Sequence, residues 1–414
     1  MAHLSLTDNK QRTAFFRAGA MRNLYYWQTR LTTDGDHLPP EEHNNFLRAV
    51  KMALPLDEAW PLLYELVTGF SPLLERRGRW EDDHWAISHT LEAARRRHDS
   101  AAEVTLAALT ARLLFQQSRH QESIRAYRSV IRMARRVGDE FNEARACTNL
   151  GFHFAEQGRW QRAEVLCCHA LHLFEKLDSD HGRAHTENHL GFLYTRQHQW
   201  KKAQYHLKRA CNIWQTMGDE HGLMRGYLNL GLSYVDGKQP DQALIYLKRA
   251  LHQAQITKET IAVGRVYINM GKAFRLQLDW LQAEAYTKKA EAIFKACSDL
   301  AELSRTWNGL GLIYFYQERW SEATLYLEKS LNLWRRLGIK FEEIEVLLDI
   351  GECELSQGNL SLASARLSEV EHLISASPEQ SSYRHLRPRL SQYRHHLNKS
   401  LGEKQATSLR VREV

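Results

Sequence analysis

Residues 144–178 read ARACTNLGFHFAEQGRWQRAEVLCCHALHLFEKLD, and this stretch decides the fold. Cys147, Leu150, Gly151 and Phe154 fall at i, i+3, i+4 and i+7, which is one stripe of a helix. Gln157-Gly158-Arg159 breaks that helix. Trp160 opens a second stripe that continues through Ala163, Cys167, Ala170, Leu171 and Phe174, and the polar residues around Asp178 end it. The segment is therefore a helix-turn-helix hairpin.

Working outward, the hairpin recurs. Tryptophan stands at 80, 160, 200, 280 and 320, every gap being forty residues or a multiple of forty. Leu150-Gly151 is followed on the same beat by Leu190-Gly191, Leu230-Gly231, Met270-Gly271, Leu310-Gly311 and Ile350-Gly351. Each glycine has an alanine twelve residues later, from Ala163 through Ala203, Ala243, Ala283 and Ala323 to Ala363. Small residues at both positions let two helix axes approach closely. An aromatic lies three after most of the glycines, as Phe154, Tyr194, Tyr234, Phe274 and Tyr314. Earlier units are degenerate but in register, with Ala111, Leu114, Ser123 and Tyr127 in one and Ser71, Leu74, Trp80 and Ile87 in another. A fixed period of this length marks a solenoid, whose units bury their apolar faces only by stacking.

These columns resemble the tetratricopeptide repeat, with its Leu-Gly, aromatic and two alanine positions. The resemblance covers about residues 57 to 375 and implies an all-α, right-handed superhelix of about eight hairpins with capping helices. The forty-residue form resembles the repeats of Pins-type polarity adaptors, kinesin light chains and bacterial regulators of the maltose-activator type. A narrower likeness begins at Pro40-Glu41-Glu42-His43 and ends at Arg77-Gly78-Arg79-Trp80. It is similar to the entry into the repeat arm of STAND-type signalling ATPases. No G-x-x-x-x-G-K-[ST] loop occurs in the chain, so that resemblance implies a sensor-like arm and no phosphate cradle.

The rest of the organisation follows from composition. Residues 1–56 are expected to form N-terminal capping helices, with an aromatic-rich helix from Phe15 to Leu31, for which docking onto a partner is the alternative, and a linker from Thr32 to Pro40. The array occupies 57–375, a basic capping helix interrupted by Pro388 occupies 376–401, and 402–414 are expected to be a disordered tail. That capping helix carries Arg384, Arg387, Arg389, Arg394, His395, His396 and Lys399, which suit an acidic partner or nucleic acid as well as a solvated cap.

The chain is 43% hydrophobic and 25% charged with a net charge of +7, which fits a folded soluble protein and is too mild and too dispersed for a nucleic-acid surface. Nucleic acid is therefore an unlikely partner. The six cysteines form no C-x-x-C pair and fall mostly within helices, which points to a reducing compartment. The start lacks a signal-peptide core and no run is long enough to span a bilayer, so no membrane role and a cytoplasmic location are expected.

The candidate binding surface lies on the first helix of each hairpin, which in this repeat family lines a concave groove. Arg145, His185, Arg225, Arg265 and Arg305 stand six before the glycines. Asn149, His189, Asn229 and Asn269 stand two before them, with Asn188 adjacent to His189; Gly309 and Asp349 then replace Asn and Glu345 replaces Arg, so a ligand is expected to centre on units 145 to 305. A spacing of four puts both columns on one face. Asparagine can pair with both groups of an extended backbone, and the arginine fork suits carboxylates. The resemblance to Pins-type adaptors, which use comparable columns, supports a groove for an extended acidic peptide or protein segment. Phe152 and Phe192, one after their glycines, are candidate aromatic anchors, as are Phe315 and Tyr316. The structural alternative has each arginine pairing with acids of the preceding turn, such as Asp139 and Glu140 or Asp219 and Glu220. It also has each asparagine bridging helices and the phenylalanines packing between them.

Enzymatic readings are weaker. His181, His185 and His189 are spaced i, i+4, i+8, but HTENH is not H-E-x-x-H, and His181 is expected in the turn before its helix. No nucleophile elbow or dinucleotide loop is present. The expectation is a non-enzymatic interaction module without metal or cofactor. The alternative is a regulatory or sensor subunit, similar to the STAND arm, that controls a separately encoded enzyme or DNA-binding partner.

Overall fold

The computed structural model describes residues 2–33, 39, 42–76, 79–117, 119–376, 383 and 386–412. Among them every regular element is a helix. In chain order these are α1 (Ala2–Thr33), α2 (His43–Ala53), α3 (Trp60–Arg76), α4 (Trp80–Arg96), α5 (Ser100–Gln116) and α6 (His120–Val137). They continue with α7 (Glu140–Glu156), α8 (Trp160–Lys176), α9 (Asp180–Arg196), α10 (Trp200–Met217), α11 (Glu220–Asp236), α12 (Pro240–Ile256) and α13 (Thr260–Leu276). The last are α14 (Trp280–Ala296), α15 (Leu300–Tyr316), α16 (Trp320–Leu337), α17 (Lys340–Ser356), α18 (Leu360–Ala376) and α19 (Arg387–Arg412). The fold is all-α and built from repeated helical hairpins, as the forty-residue beat predicts.

The punctuation is finer than that beat. A left-handed residue recurs every twenty positions, at Gly138, Gly158, Asp178, His198, Gly218, Lys238, Lys258, Leu278, Ser298, Glu318, Gly338 and Gly358. Each ends one helix in the αL manner. At most of these positions a side chain other than glycine accepts the strained backbone, so glycine alone does not reveal the turns. On the far side of six turns, Asp99, Asp139, Ser179, Asp219, Asp279 and Asp299 accept the amide three residues on, closing the N-terminus of the next helix.

The helices gather into two compact units, residues 1–153 with 165–178 and residues 154–164 with 179–414. In the first unit α1 lays Ala20, Leu24 and Trp27 against the apolar faces of α2 and α3. Trp27 meets Phe46 and Phe70 edge-on at 5.7 and 5.9 Å, while those two rings stack at 3.9 Å. The aromatic wealth of α1 is thus divided. Trp27 is in the core, whereas Phe15, Tyr25 and Tyr26 remain exposed. Most of the expected linker after Thr33 lies outside the described residues, as do Pro40-Glu41 and Arg77-Gly78 of the STAND-like segment.

A buried polar contact in this unit gives an acid dependence. Ser123 Oγ donates to the Ala111 carbonyl at 2.7 Å and meets His153 Nε2 at 3.0 Å. Burial, with the neighbouring His120, pushes the His153 imidazole down to about 4 from 6.5. Both folded and unfolded chains hold it neutral at pH 7. As pH falls below about 6.5 only the unfolded chain takes up the proton, so stability is lost until about pH 4. The loss is about 3 kcal/mol. Urea midpoints of the chain at pH 7 and pH 4.5 should separate more widely than those of His153→Gln, whose carboxamide still reaches Ser123 without titrating.

In the second unit the small-residue columns do what close helix approach requires. A Cβ on Gly231 would lie 2.7 Å from Leu247 and 3.5 Å from the Ala243 carbonyl, and one on Gly311 would lie 2.6 Å from Leu327 and 3.3 Å from the Ala323 carbonyl. The recurring aromatics are also explained locally. Tyr234 stacks on Tyr246 at 5.4 Å and Phe274 on Tyr286 at 5.4 Å, each ring pinned by its own hairpin partner. Tyr194 and Tyr314 donate their hydroxyls to Glu164 and Glu284 of the preceding second helix, which joins hairpin to hairpin.

The C-terminal end departs from expectation in two ways. Pro388 occupies the first turn of α19, where its missing amide proton costs nothing, so it does not interrupt the helix. The helix also continues to Arg412, through most of the residues expected as a disordered tail. α19 stands in the register of the first helices, with Arg389 forty residues after Asp349. Its Tyr393 donates to the Ala363 carbonyl at 2.7 Å and fills the space beside Gly351.

Candidate functional site

The first helices α9, α11, α13, α15 and α17 of the second unit lie side by side, each in contact with the next. The run curls within this unit. The Arg196 guanidinium, at the end of α9, lies 5.7 Å from the centre of the Phe341 ring at the start of α17. His185, Asn188, His189 and Phe192 of α9, Arg225 and Asn229 of α11, Arg265 and Asn269 of α13 and Arg305 of α15 are thereby brought onto one array. Arg145, Asn149 and Phe152 belong to the first unit and are partly buried on α7, where Phe152 meets Phe115 edge-on at 5.8 Å.

The rungs engage sideways rather than back into their own turns. Arg265 Nε donates to Glu302 at 2.9 Å. Arg305 donates to Glu302 and to Glu342, both at 3.1 Å. Arg225 Nη2 lies 3.4 Å from His185 Nε2, and Asn229 donates to Asn188 Oδ1 at 2.9 Å. Except for Glu302 with Arg305, each partner sits on an adjacent first helix. The preceding-turn acids Asp139 and Asp219 cap their helices through the Asn142 and Gly222 amides, and their charges also act on Arg145 and Arg225.

Solvent still reaches the rungs. The Arg265 and Arg305 side chains are 51% and 46% exposed. Arg225 is also exposed, and partial desolvation by its surroundings pushes its pKa down despite Asp219 and Glu259 nearby. Its guanidinium lies 5.7 Å from the centre of the fully buried Trp214 ring, against which the His185 ring also packs edge-on at 5.5 Å. Trp334 supports Arg305 in the same way at 5.5 Å. Asn269 is 8% exposed.

Sequence reasoning missed a second group on this array. Lys272 stands in the column of Phe192, and Glu156, Arg196 and Asp236 stand in the column one turn further on. Burial pushes Glu156 and Asp236 up and Lys272 down, with Arg196 opposing the rise of both acids. Counting by forty from Phe192 would have found Lys272.

The histidine series does not converge as metal ligands. His181 lies inside α9, after the Ser179 cap, and its ring packs on His185 at 4.5 Å. Glu187 of the same helix is buried and takes His206 Nδ1 at 2.6 Å and Arg209 at 3.0 Å. Among the described residues the group able to hold a divalent ion is Glu143, Cys147 and His169, whose ligand atoms lie within 4.8 Å of one another in the first unit. Arg135 and His169 already donate to Glu143 at 2.8 and 2.7 Å, and burial with Glu143 pushes the Cys147 thiol up to about 12. No helix among the described residues is long and apolar enough to cross a membrane.

The tetratricopeptide repeat family matches residues 142–216 and 302–371, and a second tetratricopeptide model matches 225–252. Those segments are tetratricopeptide repeats, on the columns already described. No curated protein matches the chain. The structure is similar to that of a Rap protein complexed with Competence and Sporulation Factor, at 15% identity over 81% of this chain and 99% of that one, with a TM-score of 0.57. It is similar to the apo quorum sensor NprR of B. thuringiensis, at 16% identity over 86% and 99%, with a TM-score of 0.56. It also resembles a STAND protein with a tetratricopeptide repeat sensor from Pyrococcus horikoshii, at 13% identity and a TM-score of 0.59, over 89% of this chain and 54% of that one. At such identities the likeness concerns the fold. Repeats and neighbours together support a protein-interaction or regulatory module.

Proposed function

We propose that this chain is a non-enzymatic interaction module that holds an extended, acidic peptide or protein segment along the first helices of its second unit. The observation that carries this reading is the row of partly exposed guanidiniums at Arg225, Arg265 and Arg305. Arg225 and Arg265 are each engaged through one nitrogen, by His185 and Glu302, whereas Arg305 is held by both Glu302 and Glu342 and keeps a 46% exposed side chain. Arginine steadied in this way loses less rotamer entropy on meeting a carboxylate. Asn229, supported by Asn188, supplies the matching carboxamide for a peptide backbone. The buried thiols of Cys147, Cys167, Cys211 and Cys353 suit a reducing, cytoplasmic setting.

A photo-crosslinking residue at position 229, introduced in the native host, should capture a partner. The same residue at position 245, exposed on the second helix α12, should not. Capture should fall at raised salt and fall further with Arg225→Ala and Arg265→Ala combined. Capture that ignores both substitutions would remove the reading. The shared fold of the Pyrococcus sensor supports a second reading, a regulatory subunit for a separately encoded enzyme or DNA-binding protein. Co-purification of a nucleotide-dependent partner would favour it.

A further inference from the structure

Arg389 shows what a rung in these columns touches. Its guanidinium is held by the residues 44, 40 and 37 positions earlier, Glu345 at 3.0 Å, Asp349 at 2.5 Å and Glu352 at 2.9 Å. The offset of 37 recurs where Arg265 meets Glu302 and where Arg305 meets Glu342. Counting back by forties, the rungs before Arg389 are Asp349, Gly309, Asn269 and Asn229.

Gly309 is the rung without a side chain. The residues 44, 40 and 37 before it are Arg265, Asn269 and Lys272. Two cations and a carboxamide therefore stand where Arg389 finds three carboxylates, so the charge pattern is inverted. There is room as well, since a Cβ on Gly309 would meet nothing closer than Thr287 Cγ2 at 3.6 Å. Arg265 reaches Glu302 through Nε. Lys272 makes no hydrogen bond or ion pair among the described residues. The charges acting on it are Asp236 and Glu342 against Arg275 and Arg305, and burial is the leading cause of its lowered pKa. A cation left in this state gains most from a carboxylate that arrives from outside.

We propose that the open space at Gly309, which the repeat offsets set opposite Arg265, Asn269 and Lys272, seats a side-chain carboxylate of the bound peptide. This rests on the reading of the array as a peptide site and adds which acid-binding position is central to it. A carboxylate there would stand between Asn269 and Asp349 in the row, and the charge of Asp349 is already met by Arg389 and Asn308.

The test supplies the carboxylate in cis. Gly309→Asp in the full chain should melt about 2 °C above the isosteric Gly309→Asn. The difference should vanish when Lys272→Met is added to both and should shrink in 1 M salt. In trans, the probe is a fluorescent acetyl-(Glu-Ala)4-amide peptide. Its affinity should drop at least tenfold in Gly309→Asp and in Lys272→Met, and should survive in Gly309→Asn. A control peptide with Gln for Glu and a free C-terminus should bind poorly. Stronger binding by that control assigns the seat to a chain terminus and overturns the proposal. Equal melting of the Asp and Asn variants with Lys272 present overturns it too, without reference to any peptide. Probe binding lost in Arg225→Ala but indifferent to Gly309→Asp overturns the seat while the broader reading stands.

Discussion

Trp214→Ala is expected to destabilise the chain by about 3–5 kcal/mol, the usual cost of emptying a fully buried aromatic site. The position leaves no way for the cavity to close cheaply. Trp214 is wholly buried, and Gly222 and Gly226 of the next helix press against its ring because they have no side chains of their own. Backbone on that side would have to move inward to refill the space. The effect reaches the array, since Arg225 lies over the ring face and His185 against its edge. Urea unfolding of Trp214→Ala should show the full loss, and Trp214→Phe should restore most of it. Peptide binding should weaken in Trp214→Phe as well, because the smaller ring gives Arg225 a poorer platform. A variant as stable as the parent would show that α10 and α11 repack freely.

Arg389→Met should cost about 2–4 kcal/mol. The substitution preserves most of the volume but leaves Glu345, Asp349 and Glu352 facing one another with no cation between them. Removing one member of an enclosed ion-pair network strands the others, and the 27% exposure of the Arg389 side chain keeps the cost slightly below that of a fully buried network. Asp349 is the most enclosed of the three, and burial already pushes its pKa up against the pull of Arg389 and Asn308. Without the guanidinium it rises further. The deficit of the variant should therefore narrow as the pH is lowered from 7 toward 4 and the carboxylates take up protons. Urea midpoints of parent and variant across that range check the sign. A gap constant with pH would mean that lost packing, not stranded charge, is responsible.

Much of the architecture could be read from the sequence because stacking forces periodic chemistry. Gly231 cannot change without striking Leu247, and Ala243 cannot grow without pushing two axes apart, so these residues recur at fixed intervals. The turns were less legible. Where Leu278 adopts the left-handed conformation, the residue type gives no warning of the turn. The site columns were visible as residue types, but their partners were not. Arg265 and Glu302 are separated by nearly a full repeat, and their contact exists only once α13 and α15 lie together. Lys272 escaped notice because its column opens with phenylalanines and suggested anchors rather than charge. Trp214 was hidden differently. Its column holds Phe174, Ala254, Phe294 and Trp334, a mixture that hides the glycines making room for Trp214 and Phe294.

The left-handed residues every twenty positions, several with a cap just beyond, make the second unit modular at the level of the gene. Excising codons 219–258 would join Gly218 to Glu259, reproducing a junction of the same conformation as the one at Lys258. A chain shortened in this way loses one rung and brings His189 beside Asn269, with every remaining splice in phase. Unequal recombination could thus shorten or lengthen the ladder, and so the stretch of partner it reads, without inventing a new turn.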